Sequence, residues 1–159
     1  MKVTIQPSIS HGSVKIPPSK SMAHRAIICA ALANGKSTIS NIDYSVDIQT
    51  TIDCMRKLGA NIICHENSVE IQGIQNFNQL TDNHIECNES GSTLRFLIPI
   101  FSLTNQKVIF TGKNRLLKRP QKVYEDLFKE NNLTFNQTED YIEIQGRIRA
   151  KEYTLQGNV

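Results

Sequence analysis

The sequence has 159 residues, of which 39% are hydrophobic and 21% are charged, and its formal net charge at pH 7 is +3. This length and composition are typical of a folded domain with a proper hydrophobic core, and they exclude an intrinsically disordered chain. The longest strictly apolar run, Ala26 to Ala33, is far shorter than the roughly 18 residues of a membrane-spanning helix, so we expect no membrane association.

The first half of the chain shows the order strand, helix, strand, helix, strand, strand. Periodicity and turn signals indicate each of these elements. They are GSVKI from Gly12, an apolar helix from Ser21 to Leu32, STISN from Ser37, an amphipathic helix from Val46 to Leu58 capped near Ser45, ANIIC from Ala60 and SVEIQ from Ser68.

The second half repeats this order. Its elements are NHIEC from Asn83, a helix from Ser92 to Leu103, KVIFT from Lys107, a helix from Pro120 to Glu130 with its proline in the first turn, LTFNQ from Leu133 and YIEIQ from Tyr141. The pentapeptide VEIQG at Val69 returns as IEIQG at Ile142, 73 residues later. The tail, KEYTLQGNV, resembles the opening strand of a further copy. We therefore predict an α+β fold of two complete βαβαββ units and the start of a third.

Cations are concentrated in two stretches of the chain. Residues 1–42 and 90–124 together hold 12 of the 18 Lys and Arg residues, and neither stretch contains Asp or Glu. Such a distribution favours an anionic partner, although a solvated basic face is the alternative for any single lysine.

Both apolar helices follow a Ser-x-Ser sequence. A helix N-terminus presents unpaired backbone N–H groups that bind phosphate or carboxylate. In the first unit, Lys20 and Ser21 open the helix and Arg25 follows one turn later; in the second, Gly91 replaces the lysine. Arg119 precedes the proline that opens another helix. The serines alone would be read as N-caps, but two copies with cations favour anion binding.

These residues resemble a known family. The segments PPSKSMAHRAIICAAL from Pro17, NESGSTLRFLIPI from Asn88 and TGKNRLLKRPQKVY from Thr111 are similar to signatures of the EPSP synthase family, the 3-phosphoshikimate 1-carboxyvinyltransferases. The resemblance implies transfer of the carboxyvinyl group of phosphoenolpyruvate to the 5-hydroxyl of shikimate 3-phosphate, with release of phosphate. It implies no metal ion and no organic cofactor.

The resemblance also implies roles for individual residues. Lys20 is expected to contact both substrates and to be the one catalytic residue in this chain, because the family's proton-transfer carboxylates lie in a second domain. Ser21 and Arg25 are expected to hold shikimate 3-phosphate. Gly91 and Arg119 are expected to bind phosphoenolpyruvate.

Family members have two domains, each made of three βαβαββ units. By this resemblance, residues 1–16 are strands of the other domain, 17–82 form the first unit, 83–150 the second, and 151–159 the first strand of a truncated third. We therefore expect an N-terminal fragment, inactive alone, whose partner is the missing C-terminal part of the same enzyme. The full-length enzyme is expected to be a monomer.

Two alternative functions remain open at this point. The UDP-N-acetylglucosamine enolpyruvyl transferases share the architecture, but their members usually carry Asn after the lysine and a reactive Cys in the later loop, where this chain has Ser21 and Asn114. A basic RNA-binding module is the second alternative. Aromatic residues make up only 6% of the chain and no stacking pair is interleaved with the cations, so nucleic-acid binding is not expected.

The spacing of the four cysteines and the start of the chain bear on metal binding and on cellular location. No C-x-x-C pair is present, and Cys64 with His65 has no second pair at ligand spacing, so we expect buried thiols and no metal site. The first ten residues lack the apolar core of a signal peptide, which favours the cytoplasm, where thiols stay reduced.

Overall fold

A computed structural model of the protein describes residues 2–4, 6–7, 9, 11–77 and 80–155. Its helices and strands are, in chain order, α1 (Lys20–Leu32), β1 (Lys36–Ser40), α2 (Val46–Lys57), β2 (Asn61–Cys64), β3 (Ser68–Gln72), β4 (His84–Glu86), α3 (Gly91–Ser102), β5 (Val108–Thr111), α4 (Lys122–Glu130), β6 (Thr134–Gln137) and β7 (Ile142–Gln145).

The strands form two sheets with the same core arrangement. In the first sheet β3 lies between β1 and β2, and both pairings are antiparallel. In the second, β7 lies between β5 and β6 in the same way, and β4 is added parallel to β5. Val69 of the repeated pentapeptide pairs with Ile39, and its counterpart Ile142 pairs with Phe110. The α+β class and the internal repeat are therefore confirmed.

The first unit lacks one predicted strand. No strand is assigned between residues 11 and 19, and Val14 and Ile16 are 86% and 79% exposed. A strand requires a partner for its backbone groups, and within the described residues β1 has no neighbour in the position that β4 occupies beside β5. The prediction of a strand over Gly12–Ile16 is wrong for this chain, so the first unit is incomplete.

Three smaller expectations also change. The predicted strand of the tail is not formed over residues 151–155, and 156–159 lie outside the described residues. Helix α4 begins at Lys122 after the N-cap Gln121, so Pro120 precedes the helix and is not in its first turn. The reason is that Gln121 has a non-helical backbone (φ −116°, ψ 39°). Ser45 is the N-cap of α2, but its side chain makes no capping hydrogen bond.

The hydrophobic core runs through both units. Helix α1 buries Ile27 and Ala31, and α2 buries Ile48 and Ile52. In the second unit, Phe101 of α3 meets Phe110 of β5 edge to face, with ring centroids 5.6 Å apart. Contacts of α1 and α2 with α3 join the two units, so the starts of α1 and α3 are held by one packed interior.

Candidate functional site

The start of α1 has the predicted N-cap geometry. The Ser19 hydroxyl accepts a hydrogen bond from the Met22 backbone N–H at 3.4 Å, and the first turn contains no acidic residue. The carboxylate of Asp47, in the first turn of α2, nevertheless lies 3.4 Å from the Lys20 Nζ. The stretch of sequence around Lys20 contains no acidic residue, which predicts a lysine without a neutralising partner. The structure corrects this prediction, because the packing of α2 against α1 brings Asp47 to Lys20.

Arg25 connects α1 with α3. One of its terminal nitrogens donates to the Ser21 carbonyl oxygen at 2.8 Å, and its guanidinium carbon lies 5.0 Å from the centre of the Phe96 ring on α3. A cation over an aromatic face is attracted to the ring electrons. Lys20, Ser21 and Arg25 therefore share the exposed N-terminal part of α1, as the sequence predicts.

The start of α3 brings Gly91 and Arg119 together. Gly91 is the first residue of α3, and the Ser90 hydroxyl caps the helix by accepting from the Thr93 N–H at 3.2 Å. A Cβ built on Gly91 would lie 2.8 Å from a terminal nitrogen of Arg119. The guanidinium thus packs against bare backbone at a helix N-terminus, where an anion would meet N–H groups and a full positive charge.

A buried loop anchor sets the position of Arg119. Leu116 and Leu117 are 1% and 3% exposed, and the Gln137 side-chain amide donates to the carbonyl oxygens of Leu117 and Arg119 at 2.6 and 3.0 Å. These contacts fix the backbone and leave the Arg119 side chain on the surface. Sequence patterns gave no indication of the role of Gln137.

Tyr124 ties α4 to α3 at a break in the helix hydrogen bonding. Pro99 lies inside α3 and has no N–H, so the carbonyl of Arg95, four residues earlier, lacks its usual helical donor. The Tyr124 hydroxyl donates to that oxygen at 2.6 Å. Burial raises the pKa of Tyr124 above its ordinary value of 10.0, so the hydroxyl keeps its proton for this bond.

A chain of buried hydroxyls links the two helix starts. His24 Nδ1 lies 2.7 Å from the Thr51 Oγ1, which lies 2.8 Å from the Thr93 Oγ1, which donates to the Ser90 Oγ at 2.7 Å. Burial lowers the pKa of His24 below its ordinary value of 6.5; Asp47 opposes this shift, and Lys20 and Arg25 add to it. The sequence gives no indication of this hydrogen-bonded chain, since no spacing rule relates residues on three different helices.

A large groove lies elsewhere. Its volume is about 1010 Å³, and it is lined mainly by apolar residues at the end of α3, in α4 and in the segment after β7, including Leu103, Leu127 and Ile148. None of the predicted site residues lines it. The groove and the cationic helix starts are therefore separate features of the surface.

In the part of the chain that the structure describes, no group of three or more His, Cys, Asp or Glu side chains is arranged to hold a metal ion. None of its helices is long and apolar enough to cross a membrane. Of the cysteines, Cys54 and Cys87 are buried as expected, whereas Cys29 and Cys64 are exposed, which corrects the expectation of buried thiols for these two.

The chain is similar to known proteins along nearly its whole length. The sequence model of the family described as EPSP synthase (3-phosphoshikimate 1-carboxyvinyltransferase) matches residues 5–158. A 3-phosphoshikimate 1-carboxyvinyltransferase of Clostridium perfringens (strain SM101 / Type A) is 48% identical over 99% of this chain and 38% of the relative. One of Clostridioides difficile (strain 630) is 46% identical over 98% and 38%. This chain therefore spans somewhat over a third of the length of the curated relatives it matches.

Solved structures share the fold. An EPSP synthase from Acinetobacter baumannii superposes with a TM-score of 0.75 at 22% sequence identity, over 89% of this chain and 34% of that one. A second structure of the enzyme from the same organism gives a TM-score of 0.73 at 23% identity, over 85% and 32%. The architecture is thus retained at low sequence identity.

Proposed function

Because the chain belongs to the EPSP synthase (3-phosphoshikimate 1-carboxyvinyltransferase) family, we propose that it is the N-terminal part of an enolpyruvyl transferase. The proposed reaction transfers the carboxyvinyl group of phosphoenolpyruvate to the 5-hydroxyl of shikimate 3-phosphate and releases phosphate. The remainder of the enzyme is the proposed partner of this chain. We also propose that the complete enzyme is a cytoplasmic monomer, as the family resemblance implies.

The observation that carries this proposal is the contact between Arg119 and Gly91 at the start of α3. Two residues 28 positions apart in the sequence meet where a carboxylate or phosphate gains most from backbone N–H groups and a guanidinium. We assign phosphoenolpyruvate to this helix start. The absence of a side chain at Gly91 lets the ligand approach the backbone closely.

The start of α1 is assigned to shikimate 3-phosphate. Ser21 supplies a hydroxyl and Arg25 a guanidinium, which the Ser21 carbonyl and the Phe96 ring hold in place. Two phosphorylated substrates repel each other when they lie side by side. Lys20 between them offsets that repulsion, and Asp47 holds its ammonium group near the helix start until the substrates arrive.

A chimeric enzyme tests the proposal. This chain is joined to the part of the Clostridium perfringens relative that follows the matched region, and release of inorganic phosphate is measured with both substrates. We expect turnover that requires phosphoenolpyruvate and shikimate 3-phosphate together. A chimera that folds by circular dichroism but releases no phosphate would overturn the proposed reaction.

Variants of the chimera test the role of Lys20. Lys20→Ala is expected to reduce turnover at least about 100-fold, because a charge that stabilises the transition state is lost. Lys36→Ala, which removes an exposed lysine of β1, is the matched control and should retain activity. Near-normal turnover of folded Lys20→Ala would refute the role assigned to this lysine.

Binding of a short RNA to the chain tests the alternative function. Tight, salt-sensitive binding of the RNA without any response to the two substrates would favour the RNA-binding alternative.

A further inference from the structure

We propose that His24 is a positioning residue whose imidazole, acting through Thr51 and Thr93, fixes the start of α3 where Ser90 and Gly91 lie. The part of this inference that concerns phosphoenolpyruvate rests on the proposed function. The hydrogen-bonded chain itself does not, because it is a property of the free protein.

The four side chains are nearly inaccessible to solvent. His24, Thr51, Thr93 and Ser90 are 3%, 0%, 0% and 4% exposed. Buried polar groups have few alternative partners, so breaking one link leaves donors or acceptors unsatisfied inside the protein. The hydrogen-bonded chain therefore has a definite geometry.

The direction of the hydrogen bonds follows from counting protons. Each hydroxyl has a single proton to donate. Thr93 gives its proton to the Ser90 Oγ, so its oxygen accepts from Thr51 at 2.8 Å. The Thr51 hydroxyl also lies 3.3 Å from the Asp47 carbonyl oxygen, which at this longer distance is the weaker of its two acceptors. The Thr51 oxygen then accepts from His24, which requires the proton on Nδ1 of the imidazole. The last acceptor, the Ser90 Oγ, is also the atom that caps α3.

The hydrogen-bonded chain joins elements that are far apart in the sequence. His24 lies on α1, Thr51 on α2 and Thr93 on α3, and successive members are 27 and 42 positions apart in the sequence. His24 directly precedes Arg25 and lies one turn after Lys20, so its ring is fixed within the helix that carries the shikimate 3-phosphate residues. The chain therefore sets one helix start relative to the other.

Protonation of His24 is a probe of this coupling. Burial lowers its pKa, and the charged groups that act on it are Asp47 on α2, which favours the charged form, and Lys20 and Arg25 on α1, which oppose it. The imidazole is accordingly neutral at pH 7. When it gains a proton at lower pH, its altered hydrogen bond to Thr51 should be transmitted to Thr93 and the start of α3.

The first experiment follows this transmission in the chain without ligand. Nuclear magnetic resonance spectra are recorded from pH 8 to pH 5, with the His24 ring signals and the backbone amide signals of Ser90 and Gly91 assigned. We expect both amide signals to move with the midpoint of His24. In Thr51→Val, which keeps the side-chain shape but removes the hydroxyl, His24 should still titrate while the coupled amide movement is lost.

Two variants separate transmission from general destabilisation. Thr51→Ser retains a hydroxyl and should restore the coupled movement. Thr104→Val removes another buried threonine hydroxyl, one that donates to the Phe101 carbonyl oxygen and accepts from the Gln106 backbone N–H after α3, and should leave the coupling intact. Amide movement in Thr51→Val equal to that in the wild type would overturn the proposed chain.

The second experiment measures binding of phosphoenolpyruvate by calorimetry at pH 7.5. We expect the dissociation constant of Thr51→Val to be about tenfold higher than that of the wild type, Thr51→Ser and Thr104→Val. An unchanged constant would overturn the positioning role while leaving the proposed function intact. If the wild-type protein and the chimera both fail to bind phosphoenolpyruvate, the proposed function fails. The movement of the Gly91 amide signal with the titration of His24 then still decides whether the hydrogen bonds transmit the protonation of His24 to the start of α3.

Discussion

The ammonium group of Lys20 lies 3.4 Å from a carboxylate oxygen of Asp47, 27 residues further along the chain. Both side chains are partly exposed, at 58% and 38%. The pair therefore adds little to stability, because water and salt screen it. Its importance is electrostatic: the free protein already carries one negative charge beside the lysine that we expect to contact both substrates.

Asp47→Asn should strengthen anion binding. Removing the carboxylate frees the Lys20 charge, so we expect a few-fold lower dissociation constant for inorganic phosphate, measured by calorimetry at low ionic strength, with the difference shrinking in high salt. The free energy of unfolding should change by less than about 0.5 kcal/mol. Asp53→Asn, which removes an exposed carboxylate paired with Arg56 on the same helix, is the control. An equal decrease of the dissociation constant in both variants would show that the effect comes from the change in net charge and not from the ion pair with Lys20.

Gly91→Ala should weaken the binding of phosphoenolpyruvate by about tenfold, equivalent to about 1.4 kcal/mol. The new methyl group would lie 2.8 Å from a terminal nitrogen of Arg119, so the guanidinium must move away. Stability should not fall, since alanine is a better helix former than glycine. Binding calorimetry and urea unfolding measure the two effects.

A double mutant isolates the contact. In an Arg119→Ala background, Gly91→Ala should cause a smaller further loss of affinity, because the guanidinium that it displaces is gone and only the obstruction of the ligand's approach to the backbone remains. Fully additive losses would mean that the methyl group acts on the ligand alone and not through Arg119.

Tyr124→Phe should lower the free energy of unfolding by about 1 to 2 kcal/mol, because the Arg95 carbonyl oxygen loses the donor that replaces the missing N–H of Pro99. The effect should be smaller when Pro99 is also changed to Ala, whose N–H restores the helical bond to Arg95. Urea unfolding of the four proteins in this cycle measures the difference. If Tyr124→Phe lowers the free energy of unfolding equally with Pro99 and with Ala at this position, the Tyr124 hydroxyl does not compensate for the missing N–H of Pro99.

Stability should decrease as the pH falls below about 6.5, the ordinary pKa of histidine. Because burial lowers the pKa of His24 in the folded protein, the unfolded chain takes up its proton first, and the loss continues until the folded pKa is reached. Urea unfolding between pH 8 and 5.5 should show this slope in the wild type and in His11→Gln, a control at an exposed histidine. The slope should be reduced in His24→Gln; an unchanged slope would assign it to other groups.

Local patterns predicted most of the elements and the residues at the two helix starts. The apolar run after Ser19 indicated α1 to within one residue of its observed start at Lys20, and the repeat of VEIQG located β3 and β7. Gly91 and Arg119 were assigned to one ligand by resemblance, and they are in contact. These features depend on short-range periodicity or on whole motifs, which a sequence displays directly.

The remaining features depend on the packing of distant segments. The contact of Lys20 with Asp47 and that of Thr51 with Thr93 each join side chains on different helices. Their distances follow from how the helices pack, which no spacing within one element records. The strand predicted over Gly12–Ile16 is not formed for the same reason. Its sequence pattern is that of a strand, but a strand also needs a neighbouring strand to pair with, and that depends on the tertiary structure.

The difference between the two sheets has a consequence for the behaviour of this chain in solution. Within the described part of the protein, β1 pairs on one side with β3 and on its other side with no strand. Free backbone N–H and C=O groups of an edge strand are a template for intermolecular pairing. Self-association of this chain at high concentration should therefore proceed by strand addition at an open sheet edge such as β1, where the charge of Lys36 opposes it.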